Sequence, residues 1–166
     1  MIVFSVSQGC QPIIGFNYGA RDYKRVIETY KSAAIFICLY CLPVFLCLQI
    51  FPAQLLSVFG TASAAFFEFG VRYMRMNMMM MILVSIQLFS SVFVAAIGKP
   101  VLGLVASLMR QTFLLLPFMF ILARSFGLNG ILYASPIADA ISFLLTALLI
   151  VRELKTMVAA SVGVKT

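Results

Sequence analysis

Histidine and tryptophan are absent from this 166-residue chain, and only 10% of its residues are charged. Without histidine there is no imidazole for proton transfer near neutral pH and no H-E-x-x-H zinc motif. A Gly-rich phosphate loop and a cluster of acidic metal ligands are missing too, so the chain reads as no enzyme and calls for no cofactor. Acidic residues are especially scarce, five against twelve basic ones, for a net charge of +7.

The same scarcity of polar side chains excludes a water-soluble globule. A chain of this length can bury a respectable core. Here, however, 63% of the residues are hydrophobic and the mean hydropathy is +1.10, against roughly 45–50% apolar content in ordinary soluble domains. Lipid has to be the outer solvent. The basic residues stand at the ends of apolar runs, which gives them headgroups and water as partners rather than nucleic acid.

Four cysteines are present, and Cys38 and Cys41 form a C-x-x-C. The spacing falls inside an unbroken apolar run with no second pair, so these read as small packing residues rather than metal ligands. Met1 to Ser7 has neither the basic start nor the cleavage site of a signal peptide. It reads as an interior piece.

A helix crosses the hydrocarbon core with about 20 residues, and four apolar runs of that order occur. The expected fold is an all-α polytopic transmembrane bundle with spans near 26–51, 66–97, 101–123 and 128–151. Pro52 closes the first run, Gly98-Lys99-Pro100 separates the second from the third, and Ser125-Phe126-Gly127 separates the third from the fourth. The second run exceeds one perpendicular crossing, so its start around Glu68, Arg72 and Arg75 is placed in the interface, with Glu68 and Arg72 as a surface pair. Residues 1–20 are interrupted by Gln8, Gln11, Pro12, Gly15, Asn17 and Gly19 and read as one partial helix. Residues 153–166 read as a short mobile tail.

Basic residues collect on one side: Arg21, Lys24, Arg25, Lys31, Lys99, Arg152, Lys155 and Lys165. Only Arg72, Arg75 and Arg124 mark the other. The richer side is expected in the cytoplasm, with the C-terminus.

An ionisable group inside the bilayer costs at least about 2.5–3.5 kcal/mol on insertion scales, so its presence points to a role. Asp139 lies mid-way along the fourth run and Arg110 about ten residues into the third. At a rise of ~1.5 Å per residue they lie about 19 Å and 15 Å from the cytoplasmic ends of adjacent antiparallel helices. They are expected to pair, either as a static brace or as part of ion or substrate coupling. Gln11, Asn77, Gln87 and Gln111 are candidates for lining an aqueous path or for bonding helices together. Met74, Met76 and Met78–Met81 offer adaptable thioethers for varied apolar ligands.

The identity of the candidate comes from particular segments. Gln11-Pro-Ile-Ile-Gly-Phe-Asn-Tyr-Gly-Ala20 with Arg21-Asp-Tyr-Lys-Arg25, then Ala96-Ile-Gly-Lys-Pro100, Ser107-Leu-Met-Arg-Gln111, and Pro136-Ile-Ala-Asp139 followed by Arg152-Glu-Leu-Lys155, stand in one order along the chain. This pattern resembles the C-terminal lobe of multidrug and toxin extrusion (MATE-type) antiporters, nearest their MepA-like bacterial branch. The resemblance implies a plasma-membrane transporter of twelve helices in two lobes, exchanging H⁺ or Na⁺ for cationic or amphiphilic drugs. This chain would correspond to the end of the eighth helix and helices nine to twelve. The acidic position that the family carries in the tenth helix has no counterpart between residues 76 and 97. Transport is therefore expected to need the missing N-terminal lobe or a partner chain. Two other readings stand beside it: a small membrane subunit that completes a pore with another chain, and a flippase-type exporter of a lipid-linked precursor.

Overall fold

The polar residues of the first twenty interrupt the apolar pattern but lie within a helix, as the reading of one helical segment there expects. In the computed structural model, which describes residues 1–58 and 64–163 (side chains of 64–66, 128–129 and 162–163 excepted), α1 runs unbroken over Ile2–Gly19. Its 18 residues extend about 27 Å. Ser7 Oγ donates to the Val3 carbonyl and Asn17 Nδ2 to the Ile13 carbonyl, each at 2.7 Å. These polar groups are satisfied within their own helix, so they cost little there. Lys165 lies outside the described residues.

A tight turn at residues 20–22 reverses the chain. Asp22 caps the next helix by accepting from the Arg25 amide at 3.2 Å, and α2 spans Tyr23–Ile50. Pro52 ends it as expected and starts the short α3, Pro52–Ser57.

The second apolar run is two helices. α4 (Ala64–Met78) and α5 (Met81–Ala96) meet at Met79 and Met80 with a bend of 45°. No proline or glycine stands there. The Met79 amide bonds the Met76 carbonyl at 3.3 Å instead of the Arg75 carbonyl, and Gln49 Nε2 of α2 donates to that freed Arg75 carbonyl at 2.9 Å. A side chain from a neighbouring helix thus takes the place of an intrahelical donor.

The third run is one continuous helix, Pro100–Phe126, made of α6 (Pro100–Leu108), a π-helical stretch (Met109–Leu115) and α7 (Leu116–Phe126). Pro117 has no N–H for the carbonyl one turn back, and the widened turns immediately precede it. Gly127, at φ 58°, then reverses the chain in a conformation that side chains disfavour.

α8 covers Leu128–Gly163. The tail expected beyond Arg152 is therefore helix. Glu153 and Met157 are buried on it, at 8% and 3% exposure, so tertiary contact holds this end where composition suggested a loose one.

The crossings alternate in direction, and α5 lies at the centre. Tyr30 of α2 stacks on Phe89 and packs against Phe93, with centroids 5.3 and 4.6 Å apart, while its hydroxyl bonds Ser90 Oγ at 2.8 Å. Phe89 and Phe93 are fully buried. Outward, Leu39, Leu46, Leu104, Phe113, Phe120 and Leu148 are exposed, the surface expected when hydrocarbon rather than water surrounds the bundle.

Candidate functional site

The residues that can carry function converge on one face of α8. Ser135, Asp139, Ser142, Thr146 and Glu153 recur at intervals of four, three, four and seven, which keeps them on one side of a 3.6-residue helix. The last four are buried, and each of the charged ones has a partner.

Arg110 projects from the π-helical stretch and its Nε donates to Asp139 Oδ1 at 2.7 Å. The Asp139 side chain is 3% exposed and that of Arg110 25%, so the pair is charge-assisted and shielded from solvent. The pairing expected from their similar depth is present. One turn along, the Gln87 amide of α5 donates to Ser142 Oγ. Gln87 is 2% exposed and its Oε1 has no protein partner. Towards the basic end, Lys99 Nζ donates to Glu153 Oε2 at 2.5 Å. Towards the other end, Ser135 Oγ donates to Asn77 Oδ1 at 3.3 Å.

Gln11 lies apart from this stripe. With Ser7, Gln8, Ser91 and Ser107 it lines a cavity of about 290 Å³ between α1, α5 and α6, closed on one side by Gly103. A Cβ at Gly103 would stand 2.5 Å from the Ser91 carbonyl oxygen, so the helices meet there backbone to backbone. Gln111 is exposed on the outer face and takes no part in the buried network. Of the methionine run, Met79 is exposed and the others are half-buried around the α4–α5 bend.

The MatE family profile matches residues 1–121, more than half of the chain. The chain belongs to the MatE family. A solved structure of the MATE multidrug transporter DinF-BH in complex with a ligand superimposes with a TM-score of 0.83 and 37% identity over 90% of this chain, and a second solved chain, described as protein A, with 0.81 and 38% over 88%. This MatE chain spans 33% and 32% of their lengths. A comparison with curated proteins returns no significant match. The MatE family is one of transporters rather than enzymes, and this member of it is accordingly a helical membrane protein.

Two features of the MatE bundle were not anticipated from sequence. Glu68 and Arg72 form no ion pair; among the described residues the ion pairs are Arg110–Asp139 and Lys99–Glu153. Both Glu68 and Arg72 are exposed, where holding two long side chains together gains little over water. Ser142 and Glu153 were not singled out, although their spacing from Asp139 on one helical face was the signal that would have found them.

Proposed function

We propose that this chain contributes a helical lobe to a cation-coupled multidrug antiporter of the bacterial plasma membrane. It would exchange H⁺ or Na⁺ for cationic or amphiphilic drug-like molecules, and it is inactive until further helices, on the same polypeptide or a partner chain, complete the pathway. The observation that carries this reading is the extended likeness to a solved multidrug transporter. The narrower MepA-like assignment rests on the sequence segments alone.

Within this reading the basic end faces the cytoplasm, with the C-terminus of α8. Asp139 is the group on which exchange acts: a bound cation competes with Arg110 for the carboxylate, and loss of the 2.7 Å contact frees α6–α7 from α8. Coupling of this kind needs a bistable contact whose two states bind the ion differently. Asn77, Gln87 and Gln11 supply polar steps along the bundle, and Gln111 faces the helices that complete the transporter.

Split complementation tests the proposal. Cells lacking their own drug pumps would produce this chain together with the two thirds of the solved transporter that it does not cover. Efflux of a lipophilic dye cation, abolished when the proton and sodium gradients are collapsed, is the expected outcome. Efflux that persists without either gradient contradicts antiport. Asp139→Asn should abolish gradient-driven efflux even when efflux is normalised to the amount of membrane-inserted chain, which the unpaired Arg110 lowers.

A further inference from the structure

The Arg110–Asp139 pair uses part of what its two side chains offer. Arg110 gives its Nε to Asp139 Oδ1, while the terminal nitrogens of the guanidinium and Asp139 Oδ2 have no hydrogen-bond partner among the described residues. A guanidinium presents a fixed fork of N–H donors, and most of the fork is unused here. Among the described residues, the polar atom both sealed from the surface and unpartnered is Gln87 Oε1. The free atoms of the ion pair are therefore reachable from outside the bundle, where the Arg110 side chain is 25% exposed.

A ligand that separates this pair has to replace what each partner loses. A lone cation on Asp139 leaves Arg110 unpaired, and a lone anion on Arg110 leaves Asp139 unpaired; either way a charge is stranded inside the bilayer. A molecule that carries both charges strands neither. Its carboxylate takes the open edge of Arg110 bidentately and its ammonium takes Asp139. Because the two protein groups lie 2.7 Å apart, the charges of the ligand have to be close together as well. The ammonium has further N–H groups to give, and Gln87 Oε1 is an unpaired acceptor whose amide is fixed to Ser142, one turn along α8 from Asp139.

Beside the pair, a cavity of about 70 Å³ runs between α6 and α8, from Met109 and Ser142 towards Leu102 and Leu149. Met109 precedes Arg110 in sequence, so the cavity begins where the charges meet. Apart from the hydroxyls of Ser142 and Thr146 its walls are apolar. A cavity of about 150 Å³ holds benzene, so half that volume takes a short branched alkyl group.

We propose that Arg110, Asp139 and the α6–α8 seam form a binding site for a small zwitterion with its ammonium and carboxylate on one carbon, in chemistry an apolar α-amino acid. The two charges hold the ligand and the seam takes its alkyl group. This rests on the reading of Asp139 as the group on which exchange acts, and adds a small zwitterion to the molecules that reach it.

Radiolabelled L-leucine bound to the purified full chain in lipid nanodiscs, displaced by unlabelled competitors, tests the site. Leucine should displace the label at least about ten-fold better than leucinamide, which lacks the carboxylate, or 4-methylpentanoate, which lacks the amine; that is the factor one charge-assisted hydrogen bond supplies. Glycine, with no group for the seam, should also compete more weakly. Arg110→Gln combined with Asp139→Asn removes both charges together, strands neither, and should abolish saturable binding. If the double variant loses its helical circular dichroism, Ala106→Leu, which fills the seam from the α6 wall, should lower leucine to the level of glycine. Leucinamide or 4-methylpentanoate competing as well as leucine overturns the site, and so does the absence of saturable leucine binding. Binding unchanged in the double variant or in Ala106→Leu overturns it too. Dye efflux in the split complementation assay reads the antiport separately: efflux without leucine binding removes the site and leaves the antiport, and leucine binding without efflux does the reverse.

Discussion

Arg110 and Asp139 are 29 positions apart in sequence and 2.7 Å apart in space. The contact joins the π-helical stretch of the third crossing to the middle of α8, and it places a carboxylate that is only 3% exposed beside the cation that offsets its charge. Removing either partner strands the other, whereas removing both strands neither.

Arg110→Ala or Asp139→Ala alone should therefore destabilise the purified protein by about 3–5 kcal/mol. The double variant should recover most of that loss. Reversible unfolding in mixed micelles, run as a double-mutant cycle, reads the coupling directly. Additive losses would mean that the two groups do not depend on each other.

Ending the chain after Arg152 distinguishes a packed helix from a loose tail. The truncation removes Met157, 3% exposed, and Glu153. The expected loss is about 2–3 kcal/mol or more, from apolar burial at Met157 and at the partly buried Leu154. The Lys99–Glu153 pair adds little, because the Lys99 side chain is 38% exposed. Thermal melting of the truncated and full chains in the same detergent checks this; identical midpoints would contradict it.

Gly103 and Gly130 stand where helices touch backbone to backbone. A methyl at Gly103 meets the Ser91 carbonyl, and one at Gly130 overlaps the Leu122 carbonyl, atoms that cannot swing aside as a side chain can. Gly130→Ala should cost more than the roughly 1–3 kcal/mol of ordinary overpacking, and Gly103→Ala an amount within it. Gly9→Ala, with open space around it, should leave the melting temperature unchanged or raise it slightly.

Gln87 gives the opposite expectation. Its Oε1 is buried without a protein partner, so Gln87→Met removes an unsatisfied acceptor and gives up one bond to Ser142. The two effects nearly cancel, leaving the variant within about 1 kcal/mol of the parent. A large loss of stability would mean that Oε1 is satisfied by bound water. Dye efflux in the complementation assay separates this from a transport role, which would lower efflux at unchanged stability.

Much of this was legible in the residues. Apolar runs of about twenty, bounded by charge and proline, fixed a helical membrane bundle because an unpaired backbone cannot be tolerated in hydrocarbon. The even rise of a helix put Arg110 and Asp139 at one depth, and the turn residues between their helices made them neighbours. What escaped were features decided by atoms far away in sequence. The bend at Met79 and Met80 depends on Gln49 taking the Arg75 carbonyl. The helical course of α8 past Arg152 depends on packing of Met157 and Leu154 against the core.

By itself, then, the sequence determined the solvent, the helices and the two charges that had to find each other. The tertiary structure alone decided which polar groups lie inside. Hydropathy records how much of a helix is apolar, not which way it turns, so Gln87 and Gln111 look alike in a sequence. Packing around α5 buried Gln87 at 2% exposure, and the turn of the third crossing left Gln111 outside.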